Sequence, residues 1–316
     1  MRFLLGRRGM RLMLAAAALA TLLVPTAARA YCRTTTQPLP ANYSPSRGCF
    51  TDGLFLYWRN ACVSFSIQEG ASRTIPFDVA RRIVSDAFAT WTSAKCANGV
   101  PVGISVQDFG PVACDEVRYN SNSANQNLIV FRDDGWPYDD PYSTLGLTTV
   151  TFNAETGEIY DADMEINSSG RNLSASNSVP ANGFDLASVI THEIGHFFGL
   201  AHATSSKSTM YASYKPGSIA LRSLSADDVD GLCAIYPNST QRVASSLVSG
   251  SELVTAETCD ATPRHGFTSQ CSSAKGGGGQ CAATPSVQPT ASWVSSGCVA
   301  TVVAGLFAVR RRRRAA

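Results

Sequence analysis

The chain has 316 residues, 44% of them hydrophobic and 16% charged, which excludes a collagen-like or wholly disordered chain and indicates one large domain or two small ones. The net charge of +2 hides an asymmetry: Arg2, Arg7, Arg8, Arg11 and Arg29 precede position 31, and five more arginines fill positions 310–314. The body between carries 16 Lys and Arg against 24 Asp and Glu, a net of −8, which argues against a nucleic-acid partner and fits an exported, soluble body.

Residues 1–30 read as a signal peptide, with an Arg-bearing start, an apolar run at 12–24, and Ala28 and Ala30 as the small residues of a cleavage site. All ten cysteines lie beyond it, as an oxidising compartment permits, so disulfides are expected with their connectivity open. A short Cys-containing segment, 31–53, leads into a body at 54–237. There residues 63–68 alternate like a half-buried strand. Pro76 opens a helix, because Phe77, Ala80, Val84, Ala87, Phe88 and Trp91 recur at three- and four-residue steps and make one apolar face. Residues 102–108, 128–132, 147–153 and 159–166 are predicted strands. A second helix is predicted over 184–200. A third is predicted over 225–236, with Ser225 as N-cap, Asp227 and Asp228 in its first turn, and Pro237 closing it. This order of elements predicts an α/β or α+β layer arrangement around one core. Residues 238–290 turn rich in Ser, Thr, Ala and Gly and read as a linker, although their three cysteines leave a small stapled loop open. Residues 291–316 hold an apolar, uncharged stretch at 293–309 and the arginine run; as a helix, that stretch would span about 25 Å, near the lower limit for a bilayer.

The informative segment is THEIGHFFGLAH at 191–202, in which His192, Glu193, His196, Gly199 and His202 form the pattern HExxHxxGxxH. Positions i and i+4 of a helix lie about 40° apart and about 6 Å along its axis, so His192 and His196 can bind one metal ion. Glu193 stands beside them, able to reach a metal-held water without ligating. His202 cannot come from the same straight helix; Gly199 supplies the turn that brings it back. HExxH alone also fits an amphipathic helix with surface histidines. The full pattern arises by chance about once in a million such chains, and a single charge, Glu193, on residues 186–200 argues against a surface role.

With these residues the sequence resembles the metzincin zinc endopeptidases, and among them the matrixins. Met210, which follows the motif after seven intervening residues, resembles the metzincin Met-turn. Met210, Tyr211, Ala212, Ser213 and Tyr214 are similar to the matrixin Met-Tyr-Pro-x-Tyr run, with Ala212 in place of proline. LSADDVDGLCAIYP at 224–237 resembles the matrixin C-terminal helix. The resemblance implies a twisted, mostly parallel five-stranded sheet with an antiparallel edge strand, an active-site helix and a C-terminal helix. It further implies one catalytic Zn²⁺ on His192, His196 and His202, Glu193 as general base, and a side-chain pocket walled by Tyr211, Ala212, Ser213 and Tyr214. Substrates would be proteins or peptides in extended conformation, paired with the edge strand at 147–153. Two family features are missing: the only other histidine is His265, too few for a structural zinc site, and Cys49 lacks the surroundings of a zinc-blocking propeptide cysteine.

Asp133, Asp134, Asp139, Asp140, Asp161, Asp163 and Glu165 offer oxygen ligands for Ca²⁺, as similar loops do in matrixins, or form a solvated acidic rim. The tail resembles the MYXO-CTERM type of bacterial sorting tail, with Cys281 or Cys298 as the processing residue, and implies retention at the cell envelope or release after processing. The alternative to an exported peptidase is a surface adhesion module that keeps the scaffold without turnover; an intact Glu193 favours the enzyme. Oligomeric state is not legible.

Overall fold

The computed structural model describes residues 31–238, 241–246, 250–271, 299–304 and 307–308. The signal-peptide reading, Cys281, Cys298 and the arginine run lie outside them.

Five strands appear in the predicted order: β1 (Cys62–Gln68), β2 (Ser105–Val112), β3 (Leu128–Phe131), β4 (Gly146–Asn153) and β5 (Ile159–Ile166). They lie side by side as β4-β5-β3-β1-β2. All pairings are parallel except that of β4 with β5, so the sheet is the mostly parallel one expected, with β4 antiparallel along one side. Between β1 and β2 runs helix α1 (Phe77–Thr92), which buries Ala80, Val84, Ala87, Phe88 and Trp91, five of the six residues on its predicted face. Phe88 stacks on Phe65 of β1 with ring centroids 4.6 Å apart and meets Phe197 edge-on at 5.2 Å. Each such pair contributes about 0.5–1.5 kcal/mol beyond area burial. Helix α2 (Leu186–Phe197) lies in this layer; Trp91 donates its indole N–H to Thr191 O at 2.8 Å and so fixes α1 against it.

After α2 come β6 (Ser213–Tyr214) and helix α3 (Ala226–Ile235). Ser225 and Asp228 form a reciprocal capping box at the start of α3. Cys96–Cys233 ties α3 to the segment beyond α1, and Cys32–Cys49 closes the N-terminal segment.

The stretch expected as a linker is structured as far as Cys271. Its strands β7 (Gln241–Ser246) and β8 (Gly250–Thr255) form an antiparallel hairpin. Cys62–Cys259 and Cys114–Cys271 pin the chain beyond β8 to β1 and to the segment after β2. Arg242 is fully buried, donating to Trp58 O and Asn60 O at 3.0 Å each while lying over the Tyr236 ring. A segment too poor in large apolar residues for its own core is thus held to another by two crosslinks and one guanidinium.

The helix expected over 293–309 is corrected by strands β9 (Val299–Ala304) and β10 (Phe307–Ala308). Val299, Thr301, Val302 and Val303 are β-branched and favour extended backbone, and the outer edge of β4 offers a pairing partner. Strand β9 joins it antiparallel, extending the sheet to six strands, and β10 pairs parallel with β6. Among the described residues no helix is long and apolar enough to cross a membrane.

Candidate metal centre

Helix α2 is capped by Asp185, whose carboxylate accepts the Ser188 N–H at 2.9 Å and is held by the Arg222 guanidinium at 2.6 Å. Every residue from 188 to 197 is buried. This removes the surface-histidine reading, since a helix apolar all round belongs inside.

The ligand atoms of His192, His196 and His202 lie within 4.8 Å of one another. His192 donates its Nδ1–H to Thr209 O at 2.6 Å, and His196 donates its Nδ1–H to Leu200 O at 2.9 Å. A carbonyl can only accept, so each imidazole carries its proton on Nδ1 and turns an Nε2 lone pair inward. Those two buried Nε2 atoms meet no hydrogen-bond partner among the described residues. Burial, with the neighbouring imidazoles adding to it, holds His192 far below the ordinary histidine pKa and His196 down at about 3. Both rings are therefore neutral, the form that binds a metal ion.

The turn to His202 is made at Gly199, at φ +88, where a Cβ would lie 2.9 Å from Leu56 O. The next two residues, Leu200–Ala201, pair antiparallel with Cys32–Arg33. Thr34 donates its N–H to Gly199 O and its hydroxyl to Leu200 O, both at 2.9 Å. The short N-terminal segment thus buttresses the loop that returns the third histidine.

Glu193 is fully buried and is not one of the three-histidine cluster. Thr148 of β4 donates its hydroxyl to Glu193 Oε2 at 2.8 Å. Met210 packs on α2 at Gly195, between the two helical ligand positions, where a Cβ would collide with its Sδ. The predicted Met-turn segment is tied to α3 through Asp228, which accepts the Thr209 N–H at 2.8 Å and the Met210 N–H at 3.2 Å. Tyr211, Ala212 and Ser213 are partly exposed. Tyr214 is buried, and its hydroxyl oxygen accepts the Asp185 N–H at 2.8 Å. The predicted wall therefore flanks the start of α2.

The seven acidic residues considered for calcium are not brought together. Asp133 accepts from Ser72 and from the Arg73 N–H, Asp134 pairs with Arg73 at 2.6 Å, and Asp139 and Asp140 are exposed. Asp161, Asp163 and Glu165 are buried, not a solvated rim, because β5 is covered on both faces. Glu165 pairs with Arg132 at 2.5 Å and accepts from the Tyr138 hydroxyl. Asp163 accepts the Leu128 N–H, and burial raises both Asp161 and Asp163 above the carboxylate range. Among the described residues the histidines are the only cluster of three or more such ligands.

Four supports escaped the sequence reading: Thr34, Thr148, Gly195 and Asp228 in its role at the Met-turn. Gly195 alone had a local signal, a glycine inside a helix between two ligand positions. The others act across the fold at separations no spacing rule reaches.

The family model for matrixin, peptidase M10, matches residues 57–237. Metalloendoproteinase 1 of Glycine max is 28% identical over 159 residues, 50% of this chain and 46% of that protein. Matrix metalloproteinase-20 of Homo sapiens is 33% identical over 183 residues, 57% of this chain and 32% of that protein. Metalloendoproteinase 1-MMP of Arabidopsis thaliana is 35% identical over 160 residues, 50% of this chain and 38% of that protein. The chain spans less than half the length of these relatives.

Proposed function

The chain belongs to the matrixin family, and from that premise we propose that it is an exported zinc-dependent endopeptidase acting on protein or peptide substrates in extended conformation. The observation that carries this reading is the buried cluster of three histidines, two of them with unpartnered Nε2 atoms, beside a glutamate that is not one of the cluster. Three imidazoles, two of them held neutral by burial, form a donor set suited to zinc. A bound zinc ion supplies Lewis acidity there, lowering the pKa of water toward about 7 and stabilising oxyanion charge. Glu193 takes the proton of the attacking water and returns it to the leaving amine. Thr148 holds that carboxylate at 2.8 Å, so Glu193 is oriented before substrate arrives. The outer edge of β4 offers main-chain pairing to an extended peptide, and the wall at 211–214 lines the side-chain pocket.

Export is supported by the sequence of residues 1–30 and by four disulfides among the described residues. Retention at the envelope through the MYXO-CTERM-like tail, until any processing, belongs to the same proposal.

Glu193→Ala is expected to keep close to one equivalent of zinc and the wild-type melting temperature while losing at least about a hundredfold in kcat on a peptide library. His202→Ala is expected to lose the metal. A glutamate variant within a few fold of wild type would overturn the assigned roles.

A further inference from the structure

The tail strands lie on the two surfaces assigned to substrate. Strand β9 pairs antiparallel with the outer edge of β4 over six residues, from Val299 opposite Asn153 to Ala304 opposite Thr148. The last of these partners is the residue whose hydroxyl holds Glu193. Strand β10 then pairs parallel with the wall, Phe307 opposite Ser213 and Ala308 opposite Tyr214. Ala304 and Phe307 are three positions apart, a reach of at most about 11 Å, so the β4 edge at Thr148 and the wall at Ser213 are engaged by neighbouring parts of one segment. A sheet edge accepts one strand at a time. A substrate and β9 cannot both pair with β4.

From this we infer that the chain's own C-terminal segment is a cis ligand of the peptidase cleft, binding as an uncharged, β-branched extended peptide and excluding substrate until it is drawn away. The consequence for activity rests on the peptidase reading above; the occupancy does not. Residues 299–308 carry no charge, as main-chain pairing with an open edge requires no side-chain charge. Tethering supplies an effective concentration in the mM range, so even a segment of about 0.1 mM intrinsic affinity lowers activity about tenfold. The same segment cannot sit in a membrane and in the cleft, so anchoring or removal of the tail opens the site.

The test uses the full chain. In an antiparallel strand adjacent N–H groups point to opposite sides, so Thr301→Pro with Val302→Pro removes one donor aimed at β4 whichever it is, and breaks the strand. In the Glu193→Ala background, which cannot trim itself, hydrogen exchange of the β4 amides is expected to quicken at least tenfold when the two prolines are added. With Glu193 intact, and the tail confirmed by intact mass, the proline variant is expected to raise kcat/KM on an uncharged fluorogenic peptide about tenfold. Equal exchange in the two Glu193→Ala proteins overturns the inference. Quickened exchange with no hydrolysis by either form supports the occupancy and sinks the peptidase reading instead. Equal kcat/KM in two active forms rejects the competition.

Discussion

Asp228 is the single side chain on which the Met-turn and α3 both depend, and its removal gives a graded stability forecast. The carboxylate is 1% exposed and accepts five hydrogen bonds. Two come from the backbone N–H groups of Thr209 and Met210, one from the Ser208 hydroxyl, and two from Ser225. Asp228→Ala leaves the Thr209 N–H and the Ser208 hydroxyl buried without an acceptor, at about 1–3 kcal/mol each, whereas the Met210 N–H keeps Ser208 Oγ at 3.0 Å. It also breaks half of the capping box, worth up to about 1 kcal/mol. Ser225 keeps its own bond to the backbone N–H of residue 228, so the cap is not lost outright. The expected loss is about 3–5 kcal/mol. Urea denaturation with disulfides intact and zinc in fixed excess measures it, with an unchanged m-value showing that the transition itself is the same. Because the Thr209 carbonyl orients His192, zinc affinity is expected to fall about 10–100-fold as well. Asp230→Ala, on the exposed face of the same helix, should stay within about 0.5 kcal/mol of wild type. A loss below about 1 kcal/mol for Asp228→Ala, with zinc affinity intact, would refute the reasoning.

The geometry sets three further outcomes. Gly195→Ala gains about 1 kcal/mol in helix propensity but drives a Cβ into Met210 Sδ, so a net loss of about 1–3 kcal/mol is expected; a raised melting temperature rejects the packing argument. Thr148→Val preserves shape and removes the donor to Glu193, so kcat should fall about tenfold, with zinc content and melting temperature near wild type; an unchanged kcat rejects the positioning role. Asp161 is raised well above the ordinary carboxylate pKa by burial first and then by Asp163, itself pushed up to about 7. The folded state thus keeps a proton that the unfolded chain releases near pH 4, and the stability it confers, complete below about pH 4, is lost as pH rises from there through the raised folded value. Relative to wild type, Asp161→Asn should therefore gain unfolding free energy as pH rises above about 5; parallel pH profiles for the two proteins would contradict this.

Most of the candidate site was legible because its signals are local. Three histidines and a glycine at fixed spacing define both the cluster and the turn that closes it, and the apolar period of α1 named the buried residues themselves. Boundaries set by tertiary register were less legible. The second strand was expected at 102–108 but pairs at Ser105–Val112, because its register is fixed by Cys62 lying opposite Ser105, while Val102 and Ile104 are buried ahead of the sheet. The segment after 238 misled because a lack of large apolar residues rules out an independent core, not anchoring to a neighbouring one. In the tail, hydrophobicity is common to a membrane helix and a buried strand, and the β-branched run at 299–303 was the feature that separated them.

The sheet itself explains why such a tail has a place to go. On the proposed reading substrate pairs with the outer edge of β4, eight residues long and mostly buried on its faces, which the other four strands of the predicted sheet leave open and β9 fills. An open edge of this length also invites pairing with another copy, the hazard that natural sheets cover or charge. Strand β4 carries no lysine, arginine or proline to discourage it, since any of these would also repel or unpair substrate. Covering the edge with a strand of the same chain resolves the conflict: the edge is satisfied while β9 is seated, and it becomes available to substrate when β9 leaves. Charged residues kept out of β4 and a β-branched, uncharged segment placed in the tail are therefore two halves of one requirement.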